Sequence, residues 1–127
     1  MIMISELKKQ IRPTIRTIKK LSDTSPEEKF QNESLRPVIK LQHDLIVCYF
    51  DDYLNRKKIK FIEFDATKKL EVISQVFSRD NQLKSDFRGM IVGLFTLEEF
   101  KVYLKMPSPI NKRINSIIQQ RVISHFI

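Results

Sequence analysis

Ser25-Pro26-Glu27-Glu28-Lys29-Phe30-Gln31-Asn32-Glu33-Ser34-Leu35-Arg36-Pro37-Val38-Ile39-Lys40-Leu41-Gln42-His43-Asp44-Leu45-Ile46-Val47-Cys48-Tyr49-Phe50-Asp51-Asp52-Tyr53 is the stretch that decides the fold. It opens with a helix start signal: a capping hydroxyl at Ser25, a proline at the first helical position and a glutamate three residues on. At about 100° per residue, Leu35, Val38, Ile39, Leu41, Leu45, Ile46, Cys48, Tyr49, Phe50 and Tyr53 fill more than half of the circumference. That coverage predicts a helix at the centre of a bundle. Pro37 has no N–H to offer the carbonyl of Glu33, so the helix is expected to pause at Asn32-Glu33-Ser34.

Upstream, Ile4, Leu7, Ile11, Ile15 and Ile18 recur at three- and four-residue steps between basic residues, an amphipathic helical pattern interrupted by Pro13. Residues 1–24 therefore read as a basic, loosely held N-terminal arm, and residues 25–127 as a single helical domain. Downstream, Arg56 to Phe64 reads as a loop. Asp65 caps a helix carrying Leu70, Ile73, Val76 and Phe77, and Asp80 opens one carrying Leu83, Phe87, Met90, Ile91 and Leu94. Gly89 and Gly93 share one side of that helix, where a neighbouring backbone is expected to approach closely. Thr96-Leu97-Glu98-Glu99 is a second capping box, and Ser108 with Pro109 is expected to start a last helix that carries Ile110, Ile114, Ile117 and Ile118 inward. The expected fold is all-α, a compact bundle of five or six helices.

The 127 residues include 2 Gly, no Trp and 1 Cys. Glycine-rich phosphate loops and paired metal-ligand cysteines are thereby excluded. The lone Cys48 has no partner for an intramolecular disulfide and falls in an apolar stripe, where it reads as a small hydrophobe. No run of 18 apolar residues occurs, and no long apolar run follows the basic start, which predicts no membrane span and a cytoplasmic location.

Catalysis requires a nucleophile with a base, a metal with ligands, or two acids in different environments. None is legible. His43 and His125 lack the helical spacing from a carboxylate that marks metal ligands. Asp51-Asp52 and Glu98-Glu99 read as solvated faces and helix-end charges. No catalytic, cofactor-binding or metal-binding residue is therefore assigned, no cofactor is expected, and the reading leans away from an enzyme. Two polar residues interrupt apolar stripes, Gln42 on the long helix and Arg121 on the last, with His125 one turn beyond Arg121. Together with Arg36 they are the candidate interface or ligand residues. The alternative for Gln42 is a core amide with its hydrogen bonds satisfied, and for Arg121 an edge arginine that reaches water or pairs with a carboxylate such as Asp52.

The formal net charge of +8 raises the question of a polyanionic partner. Basic clusters occur at Lys8-Lys9-Arg12-Arg16-Lys19-Lys20, at Arg56-Lys57-Lys58-Lys60 and at Lys112-Arg113. The second stands beside Tyr49, Phe50, Tyr53, Phe61 and Phe64, a combination able to hold phosphates and stack bases. Arg56, Lys57, Lys58 and Lys60 are thus the candidate nucleic-acid patch.

The run from Phe30 to Leu45, with Gly89-Met90-Ile91-Val92-Gly93-Leu94-Phe95-Thr96-Leu97-Glu98-Glu99 and Asn111-Lys112-Arg113-Ile114, resembles small uncharacterised helical bacterial proteins. The resemblance covers nearly the whole chain after the arm and implies an all-helical fold. Some members of that group carry a glyoxalase label, which implies a metal-dependent βαβββ fold with His and Glu ligands on strands. This chain has neither those strands nor that ligand set, and the activity is not carried over.

The expected function is that of a non-enzymatic association protein acting as a homodimer through the arm or an apolar helix face. The alternative is a nucleic-acid binder using the basic patch.

Overall fold

The computed structural model describes residues 3–13 and 25–127. Arg16, Lys19 and Lys20 and the apolar positions Ile15 and Ile18 lie outside the described residues. Among those described the fold is all-α, with no strand. Its helices are α1 (Ile4–Gln10), α2 (Pro26–Phe30), α3 (Arg36–Leu41), α4 (His43–Arg56), α5 (Ala66–Arg79), α6 (Asn81–Val92), α7 (Leu97–Lys105) and α8 (Pro107–Phe126). A π-helical turn, Gln31–Leu35, joins α2 to α3, and a short 3-10 turn, Phe61–Glu63, follows α4.

The segmentation is finer than the five or six helices expected, because the rod from Pro26 to Arg56 is divided twice. Its first division falls where Pro37 withholds an N–H: the backbone widens, and Arg36 N–H reaches the carbonyl of Gln31, five residues back. The second is at Gln42, whose backbone departs from helical values while its hydrogen bonds to Val38 and Ile46 continue the rod.

Helix starts follow the polar caps. Ser25 Oγ accepts from Glu28 N–H at 3.2 Å, Asp65 Oδ1 from Lys68 N–H at 2.8 Å, and Asp80 Oδ1 from Leu83 N–H at 3.0 Å. Thr96 and Glu99 form a reciprocal capping box. The last helix departs from expectation. It begins at Pro107, one residue before Ser108, with Met106 outside the helical region at its N-cap and no side-chain cap. A proline preorganises the first helical position and forces the residue before it out of the helical region, so Pro107 sets the start by itself. At its C-terminus α4 ends in a Schellman motif. Ile59 N–H bonds to Leu54 O and Lys58 N–H to Asn55 O, with Lys58 at a φ of 57°.

The centre of the bundle is α8, not the long rod singled out from its apolar arc. α8 packs against α3, α4, α5, α6, α7 and the π-turn, burying Ile110, Ile114, Ile117, Ile118 and Val122. It runs beside the Pro26–Arg56 rod in the same direction: Arg113 meets Gln31, Arg121 meets His43, and the Phe126 and Phe50 rings lie 5.4 Å apart. The rod still buries Leu35, Val38, Ile39, Ile46 and Phe50 completely, yet Leu45 is exposed, and Cys48 is exposed rather than acting as a core hydrophobe. α4 also meets α6 through two tyrosines one turn apart. Tyr49 donates to Asp86, and Tyr53 donates to Asp80 at 2.7 Å, so the cap of α6 is held by a second element.

Gly89 and Gly93 are exposed, and a Cβ at Gly89 would meet nothing within 4 Å. The close backbone approach expected there is not made among the described residues. The buried stripe of α6 runs through Leu83, Phe87 and Ile91, and the glycines stand off it.

Candidate functional site

α1 buries none of its own residues. It is held by polar side chains on its inner side. Lys8 Nζ donates to Phe95 O at 2.8 Å, and Arg12 Nη2 donates to Leu94 O at 3.1 Å, both carbonyls of the turn between α6 and α7. Arg12 also forms a two-pronged ion pair with Glu99, Nη1 to Oε2 at 2.9 Å and Nη2 to Oε1 at 2.6 Å. The two side chains are only 7% and 11% exposed. Sequence reading expects a loosely held arm; its described part is instead tied to the body by a buried charge pair. Burial pushes the Glu99 carboxyl upward, but hydrogen bonds from Arg12, Ser34 and the Thr96 N–H, with the Arg12 charge, overcome this and hold it at about 2. Glu99 is legible in sequence as a capping-box residue. Its second role is not, because its partner lies 87 residues away.

Beside this pair a cleft of about 730 Å³ opens between α1, the α2 and π-turn region, and α7. Phe30, Pro37, Val102 and Met106 give it apolar walls, with Lys9, Lys29, Glu33 and Glu98 among its charged lining. Its lining is more apolar than polar, and its charges are of both signs.

The four candidate interface or ligand residues separate into two groups. Gln42 is half-buried, and its Nε2 donates to Met90 O at 3.0 Å, which joins the α3–α4 junction to α6. Arg121 and His125 are brought together through a third residue, His43, while Arg36 is near enough to Arg121 for its charge to act on it. Arg121 Nη1 donates to His43 Nδ1 at 3.2 Å, and the His43 and His125 rings meet edge to face at 5.6 Å. A guanidinium only donates, so His43 Nδ1 is the acceptor in this contact. Asp52, the carboxylate considered for Arg121, pairs instead with Arg56 at 2.7 Å. Burial first, and then the nearby charge of Arg36, pull the Arg121 guanidinium below its usual range. The signal for this grouping was present as spacing: Arg36 and His43 lie seven apart on one rod, and Arg121 and His125 four apart on α8.

The candidate nucleic-acid patch is exposed but not uniformly free. Arg56 is ion-paired with Asp52 and lies over both Tyr49 and Tyr53, at 5.9 and 6.0 Å from the ring centroids. Lys57 lies over Tyr53. Lys58 and Lys60 border two surface grooves of about 490 and 750 Å³ together with Ile59 and Glu63. Folding adds Lys68 and Lys69 from α5, placed over Phe64 and Phe61 at 5.8 and 5.5 Å. Phe50, Tyr53 and Phe61 are core side chains with no face for a base, whereas Ile62 is 90% exposed.

Compared with known protein families, curated proteins and solved structures, the chain matches none. Among the described residues no group of three or more His, Cys, Asp or Glu side chains is placed to hold a metal ion. No helix among them is long and apolar enough to cross a membrane.

Proposed function

We propose that this is a cytoplasmic, non-enzymatic association protein that works as a homodimer, with the α1–α7 end of the bundle as its contact surface. The supporting observation is where exposed apolar side chains collect. Most of the large ones stand on α1 and α7: Met3, Ile4, Leu7 and Ile11 on the first, and Leu97, Phe100 and Leu104 along one stripe of the second. Arg12 and Lys8 fasten α1 at the start of α7, so both sets belong to one end of the molecule. The apolar faces of the rod and of the C-terminal half of α8 are largely consumed by the core. A patch of this kind is ordinary for a contact surface and unusual for a free one. A stable dimer needs about 800 Å² from each partner. Light-scattering mass after size exclusion tests the proposal: the wild-type chain should elute as a dimer at low and high salt, and Leu7→Glu with Leu104→Glu should convert it to a folded monomer. A wild-type monomer at all concentrations ends this reading.

A second reading, nucleic-acid binding, is favoured by Lys58, Lys60, Lys68 and Lys69 gathering around one aromatic turn. It requires affinity to fall steeply with salt, and replacement of Lys58 and Lys60 by Gln to weaken binding without altering the mass.

A further inference from the structure

The turn after α4 is anchored from its inner side. Phe61 N–H bonds to Ile59 O, Glu63 N–H to Lys60 O and Phe64 N–H to Phe61 O. The buried Phe61 ring packs on Phe126 at 5.8 Å and on Phe64 at 6.4 Å. With Phe61 inward, Ile62 faces water and is 90% exposed, more than any other large hydrophobic among the described residues. Single exposed apolar side chains are ordinary on a protein surface. This one is set among lysines from two sides. Lys58 and Lys60 precede it, and Lys68 and Lys69 reach the turn from the first turn of α5, over Phe64 and Phe61 at 5.8 and 5.5 Å. Cations at a helix start oppose its dipole, and the first turn of α5 holds no acidic residue, so the stability of α5 does not account for these two lysines. The carboxylates that share the grooves here are Asp51 and Glu63, fewer than the four lysines. Among the described residues none of the four lysines forms an ion pair.

We propose that this turn docks on an anionic lipid surface, with Ile62 entering the edge of the hydrocarbon and Lys58, Lys60, Lys68 and Lys69 meeting the headgroups. Lysine stems lie along apolar surface while their ammonium groups extend to phosphates, the arrangement that Lys68 and Lys69 already have on Phe64 and Phe61. The negative potential of an acidic leaflet attracts each lysine, and the exposed isoleucine supplies an apolar anchor beside them. A nucleic acid meets the charge of this surface but not its shape. Phe61 is buried, lysines lie over Phe61 and Phe64, and Ile62 would remain in water beside a phosphate backbone. The turn packs against the end of α8, whereas α7 leads into its start, about 30 Å away along a 20-residue helix. A dimer joined through α1 and α7 leaves the turn free, and neither proposal depends on the other.

The test is sedimentation of the full chain with phosphatidylcholine vesicles, with and without phosphatidylserine, at low and high salt. Saturable binding is expected only with phosphatidylserine, weakening as salt rises. Ile62→Ser, which leaves the charge unchanged and touches no core side chain, should keep the wild-type Tm and bind about tenfold more weakly or worse. Lys60→Gln with Lys68→Gln should weaken binding by about tenfold or more. The chain has no Trp, so Ile62→Trp places a single reporter at the contact, and its emission should shift to the blue on phosphatidylserine vesicles alone. Absence of binding would overturn the proposal. So would equal binding of wild type and Ile62→Ser, which would reduce the contact to adsorption of charge, or a reporter that stays in water. If a short oligonucleotide displaced the vesicles and bound wild type and Ile62→Ser equally well, the surface would be a nucleic-acid patch and the lipid reading would be wrong.

Discussion

Replacing Glu99 by Gln removes the charge that holds α1 to the body while leaving the side chain nearly the same size. Its carboxyl sits at about 2 in the fold against an ordinary 4.5. Holding it there contributes about 3 kcal/mol at neutral pH by proton linkage. Deleting one member of a buried pair independently suggests roughly 3–5 kcal/mol, because Arg12 would be left charged and 7% exposed without its partner. The amide still accepts from Thr96 N–H, so the capping box survives in part, and the lower figure is the better expectation. In a chain of this length that is a fall in Tm of about 10 °C. The pH dependence carries the sharper signature. The folded-state value is depressed, so the stabilisation is fully present above the ordinary carboxyl range and is lost as pH falls from about 5 toward 2. Urea unfolding of wild type and Glu99→Gln at neutral pH and at pH 3 measures both. The difference between the two proteins should be large at neutral pH and shrink in acid. Arg12→Lys, which keeps a charge but loses the two-pronged geometry, should fall between them. A Glu99→Gln variant within 0.5 kcal/mol of wild type, with an unchanged acid profile, would show that Arg12 and Glu99 do not hold α1 in place; that threshold is about the scatter of a surface substitution.

Gly89→Ala should stabilise the protein by about 0.5–1 kcal/mol in denaturant unfolding, since the position is mid-helix and its added methyl meets nothing. A loss of stability would place a neighbour on that face after all. Lys58→Gly should also stabilise, by about 1 kcal/mol, because it relieves the left-handed backbone at the end of α4; an unchanged midpoint would argue against that turn. Tyr53 is pushed up to about 12 by burial and by its hydrogen bond to Asp80. A raised value contributes stability that is complete below the ordinary 10 and lost as pH climbs through 12. Tyr53→Phe should therefore cost about 1.5–3 kcal/mol at neutral pH, as loss of a hydrogen bond to a charged acceptor does, and flatten the alkaline limb of the stability profile. Equal alkaline profiles for both proteins would remove Tyr53 as its cause.

Local chemistry in the chain determined the helices and most of their ends. Ser25, Asp65, Asp80 and Thr96 each cap through a bond to a backbone N–H three residues away, and the π-turn follows from a proline one turn downstream, so both lie within reach of short-range reading. Ile110, Ile114, Ile117 and Ile118 likewise reveal their buried face by spacing alone. The places where expectation failed are those settled between distant segments. An apolar arc says that a helix is buried but not which helix the others surround, and here that is α8. The glycine pair reads the same whether a neighbour packs on it or water does, and Cys48 fits an apolar stripe yet faces outward. Gln42 and Arg121 both interrupt apolar stripes; only packing gave the first the carbonyl of Met90 and the second an imidazole and a like-charged neighbour. The clasp between Arg12 and Glu99 and the contact of Arg121 with His43 exist because chain folding closes separations of 87 and 78 residues. Such contacts depend on how rigid helices cross, a property of the assembled core that no local window of sequence contains.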